Sequence, residues 1–464
     1  MQICVISGSP KGQKSVTLQY VRFLEEAFPE HTFTVVHAGR DIRTIERQEE
    51  VWSGLLATVK ECDGVLWATP VYVMLVPAQL KRFIELIGTR NARETFFGKY
   101  TASLTTSIHF FDHTAHAYLH GVCDDLGMRY TGFCSAHMQD LQKEAFQEQL
   151  ILFFSDFLEA IAEQRPIQRE FPPLHAISSP YTPEDPPVTV DTQKRVVILH
   201  DAEPGSSLET MVGELAACYA GSVQVAHIRD AMMKGGCLGC CRCAFDNTCV
   251  YDDGFMAFWG KYVAPADILV MAGTIRDRFL SAAWKQFFDR SFFNGHVPAF
   301  EGKQVAYLVE GPLGHLPNLR EVLTGLVVTE KANLAGIVTN EPDPGEIDAA
   351  LHALAERSVR LSDRGYIAPV TFPAVGGHKI FRDEIWGGMR ATFKADDRYY
   401  RQHGLYDFPT RNYLQRIGTR ATSLIMNIPA VRREVVKNMP TYMIQPLQRS
   451  IEKSTVLAKR RAKE

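Results

Sequence analysis

A chain of 464 residues exceeds any single small domain and holds two to four domains at about 100–200 residues each. Apolar residues make up 46% and charged residues 22%, the balance of a globular chain, which excludes bulk disorder. The formal net charge of −3 conceals a division: residues 409–464 hold twelve Lys/Arg against three Asp/Glu and carry +9, so residues 1–408 carry −12. A nucleic-acid face is not expected, because basic charge is confined to the tail. No apolar run approaches a membrane span, and Met1–Gly8 reads directly as strand and turn without a leader pattern, which gives the expectation of a cytoplasmic protein.

Taken in order, the first half alternates short apolar runs with helical patterns. The runs fall near 2–6, 32–37, 64–68, 99–105 and 129–134, the signature of buried parallel strands. Seven prolines between Pro166 and Pro187 interrupt helix and strand alike and mark a linker over 164–194. The alternation then restarts, with runs near 195–200, 222–227, 267–271, 303–309 and 331–337. Asp63–Ala68 with Ala78, Lys81 and Phe83 aligns without gaps, at a shift of 204, on Asp267–Ala272 with Ala282, Lys285 and Phe287. The first strands align at a shift of 194, so the second half gains a net ten residues before its third strand. This pattern predicts two tandem doubly wound α/β domains, 1–163 and 195–364, each with a parallel five-stranded sheet. Residues 365–464 form an irregular, then mostly helical, basic extension. The basic tail either packs across acidic parts of its own chain or meets an anionic partner or membrane surface.

Three loops on the ligand edge of the first sheet carry chemistry. Ser7-Gly8-Ser9-Pro10-Lys11 opens the first helix with small residues, hydroxyls and free N–H groups that suit an anion. It lacks both the dinucleotide Gly pattern and the Gly-Lys-Ser/Thr of a nucleotide P-loop. Pro70-Val71-Tyr72 follows the third strand and precedes Ala78-Gln79-Leu80-Lys81; a stiff backbone and an aromatic suit a flat ring. Thr106, Ser107, His109, His113, His116 and His120 follow the fourth strand. An imidazole there supplies a proton near neutral pH, with capping or surface histidines as the competing reading.

The second half places five cysteines in thirteen residues. Cys237, Cys240, Cys243 and Cys249 give C-x2-C-x2-C-x5-C, the compact spacing of a [4Fe–4S] site. Cys241 leaves the ligand choice open, and zinc or free thiols are the alternatives.

Together the Ser-Gly-Ser-Pro and Pro-Val-Tyr loops resemble the flavodoxin-like NAD(P)H-dependent FMN reductase family, and the cysteine insertion, followed by Asp252-Asp253, resembles its iron–sulfur flavoprotein branch. The resemblance implies that Ser7, Ser9, Lys14, Ser15 and Thr17 hold a flavin phosphate and that Pro70, Val71 and Tyr72 lie against the isoalloxazine. Thr106, Ser107 and His109 are then expected at the flavin edge, and His109, His113 and His116 are the catalytic candidates. A second FMN is not expected, since His200-Asp201-Ala202-Glu203 puts two carboxylates where a phosphate would sit. The function expected is a homodimeric FMN- and [4Fe–4S]-dependent oxidoreductase with NAD(P)H or ferredoxin as donor and a small-molecule acceptor. A non-catalytic electron carrier, or an FMN reductase with a structural zinc site, is the alternative.

Overall fold

The computed structural model describes residues 1–175, 177, 180–220, 223–295, 297–407 and 413–453. In the first half, β1 (Gln2–Ser7), β2 (Thr32–Val36), β3 (Gly64–Pro70), β4 (Tyr100–Ser107) and β5 (Arg129–His137) form a wholly parallel sheet in the order β2-β1-β3-β4-β5. The central strands are buried on both faces; β1 and β3 accordingly read as apolar runs, while β4 is buried with Thr and Ser at five of its eight positions. The order reverses between β1 and β3, and in this topology ligands bind outside the strand ends at that point.

The second half repeats the plan with β6 (Val196–His200), β7 (Val223–His227), β8 (Ile268–Arg276), β9 (Phe279–Leu280), β10 (Gln304–Glu310) and β11 (Asn333–Thr339). Its parallel order is β11-β10-β8-β6-β7, and the short β9 folds back antiparallel on β8. Both halves are therefore flavodoxin-like, but the second sheet has six strands where five are predicted. The extra strand comes from a two-residue turn, Asp277-Arg278, with φ of 45° and 64°. Positive φ at both central residues is what a tight hairpin needs, and neither residue is the Gly or Asn that would signal it. The first half carries the same turn at Val73-Met74, with φ of 41° and 65° and a single antiparallel bridge from Tyr72 to Leu75.

The halves share one core. Phe83, Ile84 and Ile87 of helix Ala78–Thr89 and Trp284, Phe287 and Phe288 of helix Ala282–Ser291 belong to the same buried cluster. Separate clusters fill the outer face of each sheet. The contact is reciprocal. Ala78 N–H donates to Asp289 at 2.8 Å, and Ala282 N–H donates to Glu85 at 2.6 Å. Lys81 pairs with Glu85 at 3.0 Å, and Lys285 pairs with Asp289. The Pro-rich connection docks on this body: Asp124 accepts the N–H groups of Glu170 and Phe171, and Asp348 accepts those of Glu184 and Asp185.

The chain divides into compact units of Met1–Tyr400 and Arg401–Glu464. Within the first, helix Phe372–Glu384 precedes a π-helical turn, Ile385–Met389. The second contains helices Tyr413–Ile425 and Pro429–Glu452. Among the described residues no helix is long and apolar enough to cross a membrane.

Candidate cofactor-binding site

The ends of β1, β3 and β4 bring the first two predicted loops together. Ser7 pairs with Ala68, and Pro70 pairs with Thr106, so the Ser loop, the Pro-Val-Tyr loop and Thr106 share one sheet edge. Ser7, Ser9, Ser15, Thr17 and Thr106 are buried, while Lys14 is exposed. The Thr17 and Thr106 hydroxyls stand 2.6 Å apart, and Val71 N–H donates to the Thr106 carbonyl at 3.1 Å. Gly8 is dictated by close approach, since a Cβ there would overlap Thr69 and Leu80. The Ser7 hydroxyl is buried without a hydrogen-bond partner. Helix Val16–Ala27 begins without a side-chain cap and with no acid in its first turn. An orphaned hydroxyl beside an uncapped helix N-terminus fits an anion such as a flavin phosphate.

The equivalent edge of the second half is filled by its own carboxylates. Glu310, at the end of β10, accepts Ser207 N–H at 3.1 Å and the Thr274 hydroxyl at 3.0 Å. Asp201 accepts Thr274 N–H at 3.1 Å and the Ser281 hydroxyl, and burial lifts its carboxyl to about 6. Ser206 caps the helix by accepting Glu209 N–H at 3.1 Å. An anion would meet charge there instead of free donors, so this edge does not fit a second FMN.

The cysteine insertion lies on the first half. A Cβ on Gly239 (φ 62°) would overlap the Tyr72 hydroxyl and come within 3.1 Å of the Lys11 side chain. Gln79 donates to the Cys237 carbonyl at 3.1 Å, and Lys285 donates to the Tyr72 carbonyl at 2.7 Å. Burial, then Cys237, Asp289, Cys241 and Cys240 nearby, raise the Tyr72 phenol well above its usual range. The base of the insertion is stapled by Arg290, which donates to both Asp253 oxygens at 2.9 Å and to the Gly235 carbonyl at 3.1 Å.

Cys237, Cys243 and Cys249 are half-buried, and Cys240 and Cys241 are exposed. Burial pushes the Cys243 thiol up to about 11, with Cys240, Cys249 and Cys241 adding to it; burial and then Asp289 push Cys237 up to about 12. Five thiols, Cys241 among them, thus lie near enough to affect one another's ionisation, and thiols are the donor type an iron–sulfur cluster takes. Among the described residues, no three Cys, His, Asp or Glu side chains converge as they would around a single metal ion.

The histidines separate. His109 meets Asp112 at 2.8 Å, and Asp112 also accepts the Ser135 hydroxyl at 2.5 Å. His113 turns to Glu321 at 3.0 Å. His116 is buried with its two ring nitrogens bonded to Ser103 (2.9 Å) and Thr105 (2.8 Å), and burial lowers it to about 4. It braces β4 and has no nitrogen left for a substrate. His120 stacks on Tyr130. Helix Phe372–Glu384 covers this loop: Phe381 packs on Phe110 at 4.6 Å between centroids, and Glu384 stands 3.3 Å from His137. The sequence reasoning missed Arg290 and this covering helix, and it registered Gln79 only as part of the Ala78-Gln79-Leu80-Lys81 motif, without its bond to the insertion. It did register Lys285, as the counterpart of Lys81.

Residues 1–134 match the family described as NADPH-dependent FMN reductase. No curated protein matches the chain. Among solved structures, the flavoenzyme NAD(P)H:(acceptor) oxidoreductase FerB from Paracoccus denitrificans is 20% identical, over 35% of this chain and 97% of its own, with a TM-score of 0.30. The NADH:FMN oxidoreductase EMOB is 18% identical, over 36% and 91%, with a TM-score of 0.30. General stress protein 14 from Treponema denticola, in complex with FMN, is 12% identical, over 35% and 99%, with a TM-score of 0.26. Each of these matches spans only about a third of this chain.

Proposed function

We propose that the chain is an FMN-dependent NAD(P)H oxidoreductase in which one half holds the flavin and the other a [4Fe–4S] cluster. The observation that carries this reading is Gly239, in the middle of the cysteine run, seated on the Tyr72 hydroxyl of the Pro-Val-Tyr loop. The family match over 1–134 supports the flavin half, and the C-x2-C-x2-C-x5-C spacing supports the other.

FMN supplies hydride and one-electron chemistry when bound, and an iron–sulfur cluster supplies one-electron chemistry. The chain's own residues bind and orient. Ser7, Ser9, Ser15 and Thr17, with the uncapped helix end, would hold the phosphate. Pro70, Val71 and Tyr72 would lie along the ring, their backbone fixed by Lys285. Cys237, Cys240, Cys243 and Cys249 would ligate iron, with Cys241 outside the set. His109, held by Asp112, is the remaining candidate for delivering a proton at its free Nε2. In this reading the reciprocal contact between helices Ala78–Thr89 and Ala282–Ser291 brings the two sites together within one chain.

Steady-state oxidation of NADH or NADPH tests it, with a quinone and with a one-electron protein acceptor. Cys243→Ala should keep its flavin and most quinone reduction, and lose at least about tenfold in one-electron reduction. Flavin-loaded wild-type protein that oxidises neither nicotinamide would refute the reading.

A further inference from the structure

The tail carries a feature that the redox reading leaves unused. Helix Tyr413–Ile425 presents Leu414, Ile417, Leu424 and Ile425 at 83%, 65%, 72% and 52% exposure, and Ile428 follows at 53%. At 100° per residue, Leu414, Ile417, Ala421, Leu424 and Ile425 fall within a sector of about 100°, a continuous aliphatic stripe. Tyr413 and Arg420 lie along one border of that sector. The helix contains no Asp or Glu, and residues 413–453 hold seven Lys/Arg against two Glu.

We propose that this helix is a membrane-surface anchor, lying flat on a bilayer rich in anionic phospholipid. A lipid surface accepts an aliphatic stripe without shape complementarity, and the Arg420 guanidinium at its border stands where headgroup phosphates lie. A nucleic acid would take the arginines but not the stripe. A second copy would set two +9 tails against each other, so charge opposes self-pairing through this face.

The test is sedimentation of the full chain with vesicles of phosphatidylcholine alone, or phosphatidylcholine with about a third phosphatidylglycerol. The anionic vesicles should bind at least about tenfold more protein, less so as salt rises. Leu414→Glu with Ile417→Glu, and separately Arg416→Glu with Arg420→Glu, should each remove at least about nine-tenths of that binding while leaving the melting temperature unchanged. Equal binding to both vesicles, binding to neither, or wild-type binding by the apolar double variant would overturn the proposal. So would concentration-dependent dimerisation that the apolar variant abolishes, which would give the face to a second copy.

Discussion

Lys285 belongs to one half of the chain and donates, at 2.7 Å, to the carbonyl of Tyr72 in the other; Lys81 makes the reciprocal bond to Arg276 at 2.8 Å. Both lysines are fully buried and each is neutralised by an acid one turn along its own helix. Those acids, Glu85 and Asp289, also cap the N-terminus of the opposite helix. The Pro-Val-Tyr loop is thus held by the half that bears the cysteines.

Removing one partner of a buried pair leaves a stranded charge. Asp289→Ala should destabilise the protein by about 3–5 kcal/mol in chemical denaturation. Asp289→Leu combined with Lys285→Met should cost clearly less, since no charge is left unpaired. Equal losses would mean that the contact is apolar packing alone.

An acid at the Ser loop should compete with a bound phosphate. Ser9→Glu should lower FMN affinity at least about tenfold, or 1.4 kcal/mol, read by flavin fluorescence on titration. Glu310→Gln in the second half should leave the stoichiometry at one flavin per chain. A second flavin in the unmodified chain, where those carboxylates are intact, would show that they do not exclude it.

Ten strands were legible because each is a short run bounded by turn residues within a regular strand–helix alternation, a local property that holds even for the edge strands β2 and β7, which are largely unburied. β9 was not, because Asp277-Arg278 reaches positive φ without Gly or Asn. The Ser and Tyr loops were legible as motifs. Their approach to the cysteines was legible too: the duplication puts both loop sets on ligand edges, so the insertion is expected at Tyr72 and the 106–116 loop if the halves face each other, and Gly239 does meet Tyr72. The helix packing that brings this about joins residues about two hundred positions apart, and only the Lys81–Lys285 alignment gave a sign of it. His116 shows the converse. Its place in a histidine-rich loop suggests chemistry, but burial and the Ser103 and Thr105 hydroxyls make it structural.

His116 also gives the acid response a sign. Its folded value is about 4 against 6.5 unfolded, so its contribution is full above 6.5 and is lost as pH falls through the window to about 4. The loss is roughly 3 kcal/mol at the low end. Denaturation midpoints at pH 7.5 and 4.5 should differ less in His116→Gln than in the wild type.

Gly239→Ala should disturb the contact between the halves in two ways, through its φ of 62° and through overlap with Tyr72. Stability should fall by about 1–3 kcal/mol. One-electron acceptor reduction should slow, with quinone reduction retained. Unchanged rates with both acceptors would show that the Tyr72–Gly239 contact does not couple the two sites.

Iron, sulfide and flavin content of anaerobically purified chain is the most direct measurement. Coexistence of one flavin with about four iron and four sulfide per chain, the iron lost in Cys237→Ala and Cys243→Ala but kept in Cys241→Ala, is the predicted result. One zinc, or less than about one iron after reconstitution, would contradict it and leave the cysteine loop as a structural brace on Tyr72.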